Sequence, residues 1–294
     1  MWKILKFNSP MILIWLYAGW LYVFGAIIGL SLGISQEFIA PTTITIFLYF
    51  AWFSLMASSF GRTLNDYCDR KLDQYNQRKV KYEIVYETQF FSLYIFYFLF
   101  PIVSFFLLSI FFFNIFALTY GTILLISNLL YNIPPVRLKE RFGWDVIVGP
   151  ASCLSIIFAG YSLVTSQWPT SWAIIIGVCI FAALEILHKI FDIEADKRFG
   201  ISTTATRLGF KKALLVCAVL FATAAIIIYI YTKNIFFALL VFSYILLVIR
   251  VARITSEEKL ILFFRQIKWW YIIPAVIITP FFLYDIYNLR GIFN

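Results

Sequence analysis

Apolar stretches about 20 residues long alternate with short polar segments from one end of the chain to the other. Nine stand out, at roughly 11–33, 42–60, 90–112, 115–131, 146–164, 171–190, 212–231, 234–250 and 266–288. A run of that length matches the hydrocarbon thickness of a bilayer. Lipid offers nothing to bond exposed peptide groups, so each run is predicted to be a helix that satisfies its own backbone. Pro101, Pro150 and Pro274 fall inside or at the start of runs and predict kinks there. The runs are spread evenly. The pattern predicts an all-α integral membrane protein of nine transmembrane helices, folded as a single domain over 1–294.

The polar segments fix an orientation. With nine spans, the N-terminus and the loops at 61–89, 132–145, 191–211 and 251–265 share one side. All but two of the 24 Lys and Arg residues, Lys233 and Arg290, belong to that side. Such asymmetry marks it as cytoplasmic. Moving one span would destroy the pattern, which supports the count of nine. The formal net charge of +9 is then mostly a consequence of topology, with attraction to anionic lipid or an anionic substrate added, and not a signature of nucleic-acid binding.

Composition agrees. The chain of 294 residues is 62% hydrophobic and 13% charged, where a soluble chain carries about 25% charged residues. Lys3 and Lys6 resemble the start of a signal peptide, but the following apolar run is too long and no small-residue cleavage site closes it. Of the four cysteines, Cys153, Cys179 and Cys217 lie in predicted spans and Cys68 does not; no CxxC pair is present. A disulfide framework or zinc site is therefore not expected. The three intramembrane thiols are expected to be buried as small apolar groups.

Two acidic stretches interrupt this apolar background. Asn65-Asp66-Tyr67-Cys68-Asp69-Arg70-Lys71-Leu72-Asp73 follows the second span, and Asp192-Ile193-Glu194-Ala195-Asp196-Lys197-Arg198 follows the sixth. They form a short internal repeat, Asn65-x-x-x-Asp69-Arg70-Lys71 against Asp192-x-x-x-Asp196-Lys197-Arg198. Repeats in membrane proteins commonly frame a functional site. Residues three and four apart share a helix face. If the second helix continues, Asn65, Asp69 and Asp73 make one stripe with Asp66 beside it. Asp192 and Asp196 pair likewise, and Glu194 points away as a solvated charge. Hard oxygen ligands of this kind suit Mg²⁺, which bridges carboxylates to substrate phosphates. The predicted metal set is Asn65, Asp66, Asp69, Asp73, Asp192 and Asp196. Its task is to hold Mg²⁺ against a diphosphate, whose charge the metal neutralises as the carbon–oxygen bond breaks. Arg70, Lys71, Arg137, Lys139, Lys197 and Arg198 are the candidates to hold phosphate oxygens. Aromatic residues make up 20% of the chain and could shield an allylic cation. The competing reading is a pair of solvated clusters balancing nearby bases; the shared four-residue spacing at matching helix ends counts against it.

Three further features lie near these stretches. In Tyr131-Asn132-Ile133-Pro134-Pro135-Val136-Arg137-Leu138-Lys139 the prolines end the fourth span. The result is either a rigid turn aiming Arg137 and Lys139 at phosphate or a plain basic loop. The loop at 61–89, with Tyr75, Tyr82 and Tyr86, is either an amphipathic helix over the site or a solvated connector. His188 shares a helix face with Glu185 and Asp192, as a diphosphate contact, a tuner of a carboxylate or a structural hydrogen bond.

Together these residues resemble the UbiA superfamily of intramembrane prenyltransferases, over most of the chain. Asn65-Asp66-x-x-Asp69-x-x-x-Asp73 is similar to that family's first Asp-rich motif. Asp192-x-x-x-Asp196, continued by Gly200-Ile201-x-Thr203 and Arg207-Leu208-Gly209, is similar to the second. Tyr131 with Pro134-Pro135-x-Arg137-Leu138-Lys139 is similar to the loop between them. The resemblance implies a nine-helix bundle around a central cavity, multi-pass in the cell membrane, with active-site loops on the cytoplasmic side. It also implies Mg²⁺-dependent ionisation of an isoprenyl diphosphate and prenyl transfer to a lipophilic acceptor, whether a quinone or other aromatic, a carotenoid or another lipid. On this reading the catalytic residues are Asp69, Asp192, Asp196 and Lys139, and Asn65, Tyr131 and the six bases contact the diphosphate. Two departures exist. An Arg-Pro stretch after the first motif is replaced by Asn76-Gln77-Arg78-Lys79-Val80-Lys81, and an N-terminal Arg-Pro by Lys6-Phe7-Asn8-Ser9-Pro10. The Pro-Pro loop resembles members acting on carotenoids, chlorophyllide or homogentisate more than those acting on 4-hydroxybenzoate or naphthoate. A terpene cyclase of the same superfamily fits the same motifs. A secondary transporter would use Glu185 and Asp285, ionisable groups inside spans, rather than acids at the helix ends. A non-catalytic relative would not be expected to retain every carboxylate.

Overall fold

The computed structural model describes residues 48, 49, 51–53, 56, 64, 65, 68, 69, 91–111, 114–165, 167–233 and 235–254. The spans expected at 11–33 and 266–288 lie outside the described residues, as do Pro274, Asp285, most of the 61–89 loop, and Asp66, Arg70, Lys71 and Asp73. The described residues form helices and the turns that join them, with no strand among them. They form α1 (Phe91–Phe111), α2 (Ile115–Asn132), α3 (Asp145–Thr165), α4 (Ser171–Ile190), α5 (Ile193–Arg198), α6 (Thr204–Thr232) and α7 (Ile235–Ala252), with a 3₁₀ turn at Leu138–Glu140. Leu48, Tyr49, Ala51–Phe53, Met56, Leu64, Asn65, Cys68 and Asp69 also have helical backbone. Of the expected spans, the third to the sixth and the eighth coincide with α1 to α4 and α7 to within two residues at either end.

Four of these helices, α2, α3, α4 and α6, are long and apolar enough to cross a membrane. Exposed apolar side chains on α6 and on the apolar helices α1 and α7 support a membrane setting. Phe111 on α1 is 76% exposed, Leu215 on α6 65% and Leu246 on α7 64%. Large apolar side chains so exposed are stable in lipid rather than water.

The chain divides into two compact units, Met1–Arg137 with Ala151–Trp168, and Leu138–Pro150 with Pro169–Asn294. In the first unit Phe105 of α1 is fully buried. Its ring meets Tyr49 edge-on at 6.0 Å and Phe53 at 5.1 Å. It lies directly over Gly121 of α2, where any Cβ would collide with it. Polar side chains inside the unit are bonded locally or across helices. Asn128 donates to the Leu124 carbonyl at 2.8 Å, and Ser127 of α2 meets Ser152 of α3 at 2.9 Å.

The second unit is built on α6, which packs against α4 and α7. Its core holds Ala183, Ile186 and Leu187 of α4, Ala213, Cys217, Phe221 and Ala224 of α6, and Val241, Val248 and Val251 of α7. Small residues at such a seam let helices approach closely where no hydrophobic effect drives them together. The Cys217 thiol donates to the Ala183 carbonyl at 3.4 Å, which shows how near α4 and α6 come. Cys179 and Cys217 are buried as expected, Cys153 is only partly so, and all are free thiols.

Two expectations about helix ends are corrected. The seventh span, placed at 212–231, begins at Thr204, because helical turns precede a break at Gly209 (φ 72°, ψ 165°). That backbone is open to glycine alone, so Thr204–Leu208 is a separate cap to the long helix. The helix of the sixth span also does not run unbroken through the second acidic stretch. It stops at Ile190, and α5 restarts at Ile193. Helices α1 and α3 continue through Pro101 and Pro150.

Candidate active site

The first acidic motif lies in the first unit. Asn65 and Asp69 both have helical backbone, the condition for their sharing a face. The Asp69 carboxylate forms an ion pair with the guanidinium of Arg137, both groups largely buried. Arg137 reaches it from the turn after α2. There the helix ends at Asn132, the Pro134–Pro135 peptide is cis, and the Arg137 N–H bonds the Ile133 carbonyl at 3.0 Å. Arg137 itself sits at a φ of 40°, a left-handed conformation uncommon for a side chain of its size. Tyr131 is partly buried in the last turn of α2, and Asn132 beside it is buried. The Pro-Pro segment is thus a structured turn whose arginine is brought to the first motif.

The second motif lies in the second unit. The break at 191–192 keeps its helical register. Asp192 N–H bonds the Lys189 carbonyl at 3.0 Å, and Asp196 N–H bonds the Asp192 carbonyl at 2.8 Å. Asp192 and Asp196 therefore remain one turn apart. The Asp196 carboxylate oxygen Oδ2 takes hydrogen bonds from the hydroxyls of Thr203, at 3.2 Å, and Thr206, at 3.4 Å. Burial pushes the Asp196 carboxyl up to about 6, and the Asp192 charge adds to the rise, while Lys189 and the two threonines oppose it.

Other predicted residues are placed as follows. Lys139 is buried in the 3₁₀ turn, only 5% exposed. Lys197 is exposed and paired to the equally exposed Glu194 at 3.2 Å, which bears out the solvated reading of Glu194. Arg198 and His188 are exposed. Among the described residues no three His, Cys, Asp or Glu side chains group closely enough to hold a metal ion. Asp66 and Asp73 fall outside that set.

Three residues were missed by sequence reasoning. Asp145, the first residue of α3, is wholly buried. It accepts the Thr204 N–H at 2.9 Å on Oδ2 and the Thr204 hydroxyl on Oδ1, and Gly143 N–H reaches that hydroxyl at 2.8 Å. An isolated bridge between Arg141 and Ser202 runs alongside. These contacts clasp the segment before α3 to the segment before α6, next to Thr203. Lys189 is the third. The charges of Glu185, Asp196, Asp192 and Asp145 all act on it. Its signal was present in the spacing, with acids four before, three after and seven after on one helical face. Asp145 and Thr204 gave no such signal, being 59 residues apart.

A sequence profile of the UbiA prenyltransferase family matches residues 22–272. Among curated proteins, the lycopene elongase/hydratase of Halobacterium salinarum is 26% identical over 269 residues, covering 87% of this chain and 88% of that one. The protein of the same name from Haloarcula japonica is 27% identical over 220 residues, covering 71% and 70%. Among solved structures, a UbiA homolog from Archaeoglobus fulgidus bound to GPP and Mg²⁺ aligns with a TM-score of 0.64 at 17% identity, covering 96% of this chain and 100% of that one. Its complex with DMAPP and Mg²⁺ gives 0.65, again at 17% identity, with 96% and 99% covered. At that identity the likeness is one of fold.

Proposed function

We propose that this chain, which belongs to the UbiA prenyltransferase family, moves an isoprenyl group from an allylic diphosphate onto an alkene carbon of an apolar polyene lipid within the membrane. Family membership makes it a prenyltransferase. The observation that carries the site assignment is the second acidic motif. Asp192 and Asp196 are held one turn apart, and the Thr203 and Thr206 hydroxyls lie within hydrogen-bond range of one oxygen of the half-buried Asp196 carboxylate. The curated relatives are named for elongation of lycopene, which supports a polyene acceptor of that type over an aromatic one.

The residues suit Mg²⁺ by their chemistry, because carboxylate oxygens are the donors that ion prefers. Asp192 and Asp196 would be the ligands from the second motif, and Asn65, Asp66, Asp69 and Asp73 those from the first. Bound there, the metal supplies positive charge to a leaving diphosphate. Arg137, which pairs with the Asp69 carboxylate, and the buried Lys139 are the proposed diphosphate contacts from the segment after α2. Arg70, Lys71, Lys197, Arg198 and Tyr131 bind diphosphate oxygens. As the C1–O bond breaks, its electron pair leaves with the diphosphate and an allylic cation remains. The π electrons of the acceptor alkene form the new carbon–carbon bond. The charge passes to the acceptor and is discharged by loss of a proton or capture of water. The lipid-facing helices keep water from the cation until then. The site opens to the cytoplasmic side, and the chain acts as one domain.

The test is pyrophosphate release by purified protein in detergent, with C10, C15 and C20 allylic diphosphates, with and without Mg²⁺, and with lycopene or a total lipid extract. The lipids are then read by mass spectrometry. Mg²⁺-dependent release, with an acceptor gaining a multiple of five carbons, is expected. Release with a cyclised donor and no acceptor product would make the protein a cyclase. No release with any donor would overturn the proposal.

A further inference from the structure

We propose that Thr203 and Thr206 are positioning residues for Asp196, fixing one of its carboxylate oxygens so that the other is presented to a divalent cation. The proposal rests on the reading of Asp196 as a metal ligand. Its basis is a closed triangle of oxygens. Thr203 Oγ1 lies 3.2 Å from Asp196 Oδ2, Thr206 Oγ1 lies 3.4 Å from the same oxygen, and the two hydroxyls are 2.7 Å apart. Both threonines address Oδ2. Thr203 also accepts the Thr206 N–H at 3.2 Å as the cap of α6.

Counting protons orders the pair. Two hydroxyls carry two protons, but the triangle has three edges. The carboxylate only accepts. The shortest edge joins the hydroxyls, and of the two remaining edges the one from Thr203 to Asp196 is the shorter, 3.2 Å against 3.4 Å, so the favoured order is Thr206 donating to Thr203 and Thr203 donating to Asp196. Such a chain strengthens the bond at its end, because each donor polarises the next. Thr203 therefore acts directly and Thr206 through it. Thr203 is in turn held in place by its neighbour Thr204, clasped to the buried Asp145 by both its N–H and its hydroxyl. The clasp sets the backbone, the backbone sets the hydroxyl, and the hydroxyl sets the carboxylate.

A structural cap and a positioning hydroxyl make different predictions. If Thr203 and Thr206 only cap a helix, their loss lowers stability and leaves the metal requirement unchanged. If they position Asp196, their loss raises the Mg²⁺ concentration needed for half-maximal pyrophosphate release, and saturating Mg²⁺ restores turnover. A hydrogen bond to a charged group predicts a rise of about tenfold for Thr203→Val, and a smaller one, about threefold, for Thr206→Val, which keeps the cap. Thr203→Ser retains both cap and donor and should restore the wild-type value. The experiment is a Mg²⁺ titration of the full chain in detergent, read both as pyrophosphate release from an allylic diphosphate and, without substrate, as the Mg²⁺-induced rise in melting midpoint, on these three variants and on Asp196→Ala. Unchanged half-saturation in both valine variants, with Asp196→Ala inactive, would overturn the positioning role alone. Normal activity and Mg²⁺ dependence in Asp196→Ala would overturn the metal reading beneath it.

Discussion

Replacing Asp145 by alanine leaves Thr204 with two donors and no acceptor. The site cannot hydrate easily, since Asp145 is 0% and Thr204 6% exposed. The N–H bond of 2.9 Å and the hydroxyl bond both run to a charged oxygen. Bonds to a charged group are worth about 1.5–3 kcal/mol each, and an orphaned buried N–H costs about 1–3. The hydroxyl can rotate, so the larger loss falls on the N–H, and the total comes to about 3–5 kcal/mol. That corresponds to a fall in melting midpoint on the order of 10 °C for a chain of this size. Asp145→Asn keeps one acceptor and one donor, which can serve Thr204 N–H and Oγ1, and should lose only about a third as much. The assay is temperature-ramped size-exclusion chromatography in detergent, on both variants, on Thr204→Val and on the double variant. A coupling of about 1–2 kcal/mol between positions 145 and 204 is expected for direct partners. A fall of less than 2 °C in Asp145→Ala, or additive effects in the double variant, would refute the clasp.

Three other outcomes follow from the same reasoning. Gly121→Ala should destabilise by about 1–3 kcal/mol, as overpacked cores do, because its Cβ would enter the Phe105 ring; Phe105→Leu in the same chain should recover part of the loss in thermal melts. Gly209→Ala should cost about 1–3 kcal/mol, the price of forcing a side chain into that backbone region, and an unchanged midpoint would contradict the break seen there. The Asp196 carboxyl, raised to about 6 from an ordinary 3.8, binds a proton more tightly folded than unfolded. Metal-free protein should therefore lose stability as pH rises from roughly 4 to 6. Because Mg²⁺ must displace that proton, its half-saturation should worsen by up to about tenfold per pH unit below about 6 and level off above it; a flat profile from pH 5 to 7.5 would contradict this.

The helices were legible because a membrane imposes length and apolarity directly on sequence. The ends of α1, α2, α3, α4 and α7 were each visible as the point where apolar residues give way to polar ones. The start of α6 was not, because Thr204–Leu208 is a polar turn whose helicity depends on its cap, and Gly209 hides the break inside what hydropathy alone would call a loop. The two acidic motifs were legible through repeated spacing. Their surroundings were not. Arg137 was expected to reach phosphate, and the sequence had no means to show that its guanidinium pairs with Asp69, 68 residues away. Asp145 and Thr204 likewise meet only through the fold. Lys197 and Glu194, three apart on a short helix, could have been paired from spacing alone.

The measurement that bears most directly on the central claim is Mg²⁺-dependent pyrophosphate release from an allylic diphosphate, compared between the wild type, Asp69→Ala and Asp192→Ala. Each variant must elute as folded protein in detergent. The account predicts release by the wild type that needs Mg²⁺, and loss of at least about a hundredfold in both variants, as removal of a single electrostatic group at a reacting centre brings. Wild-type release that persists in either variant would contradict the assignment of both acidic motifs to one diphosphate-ionising reaction.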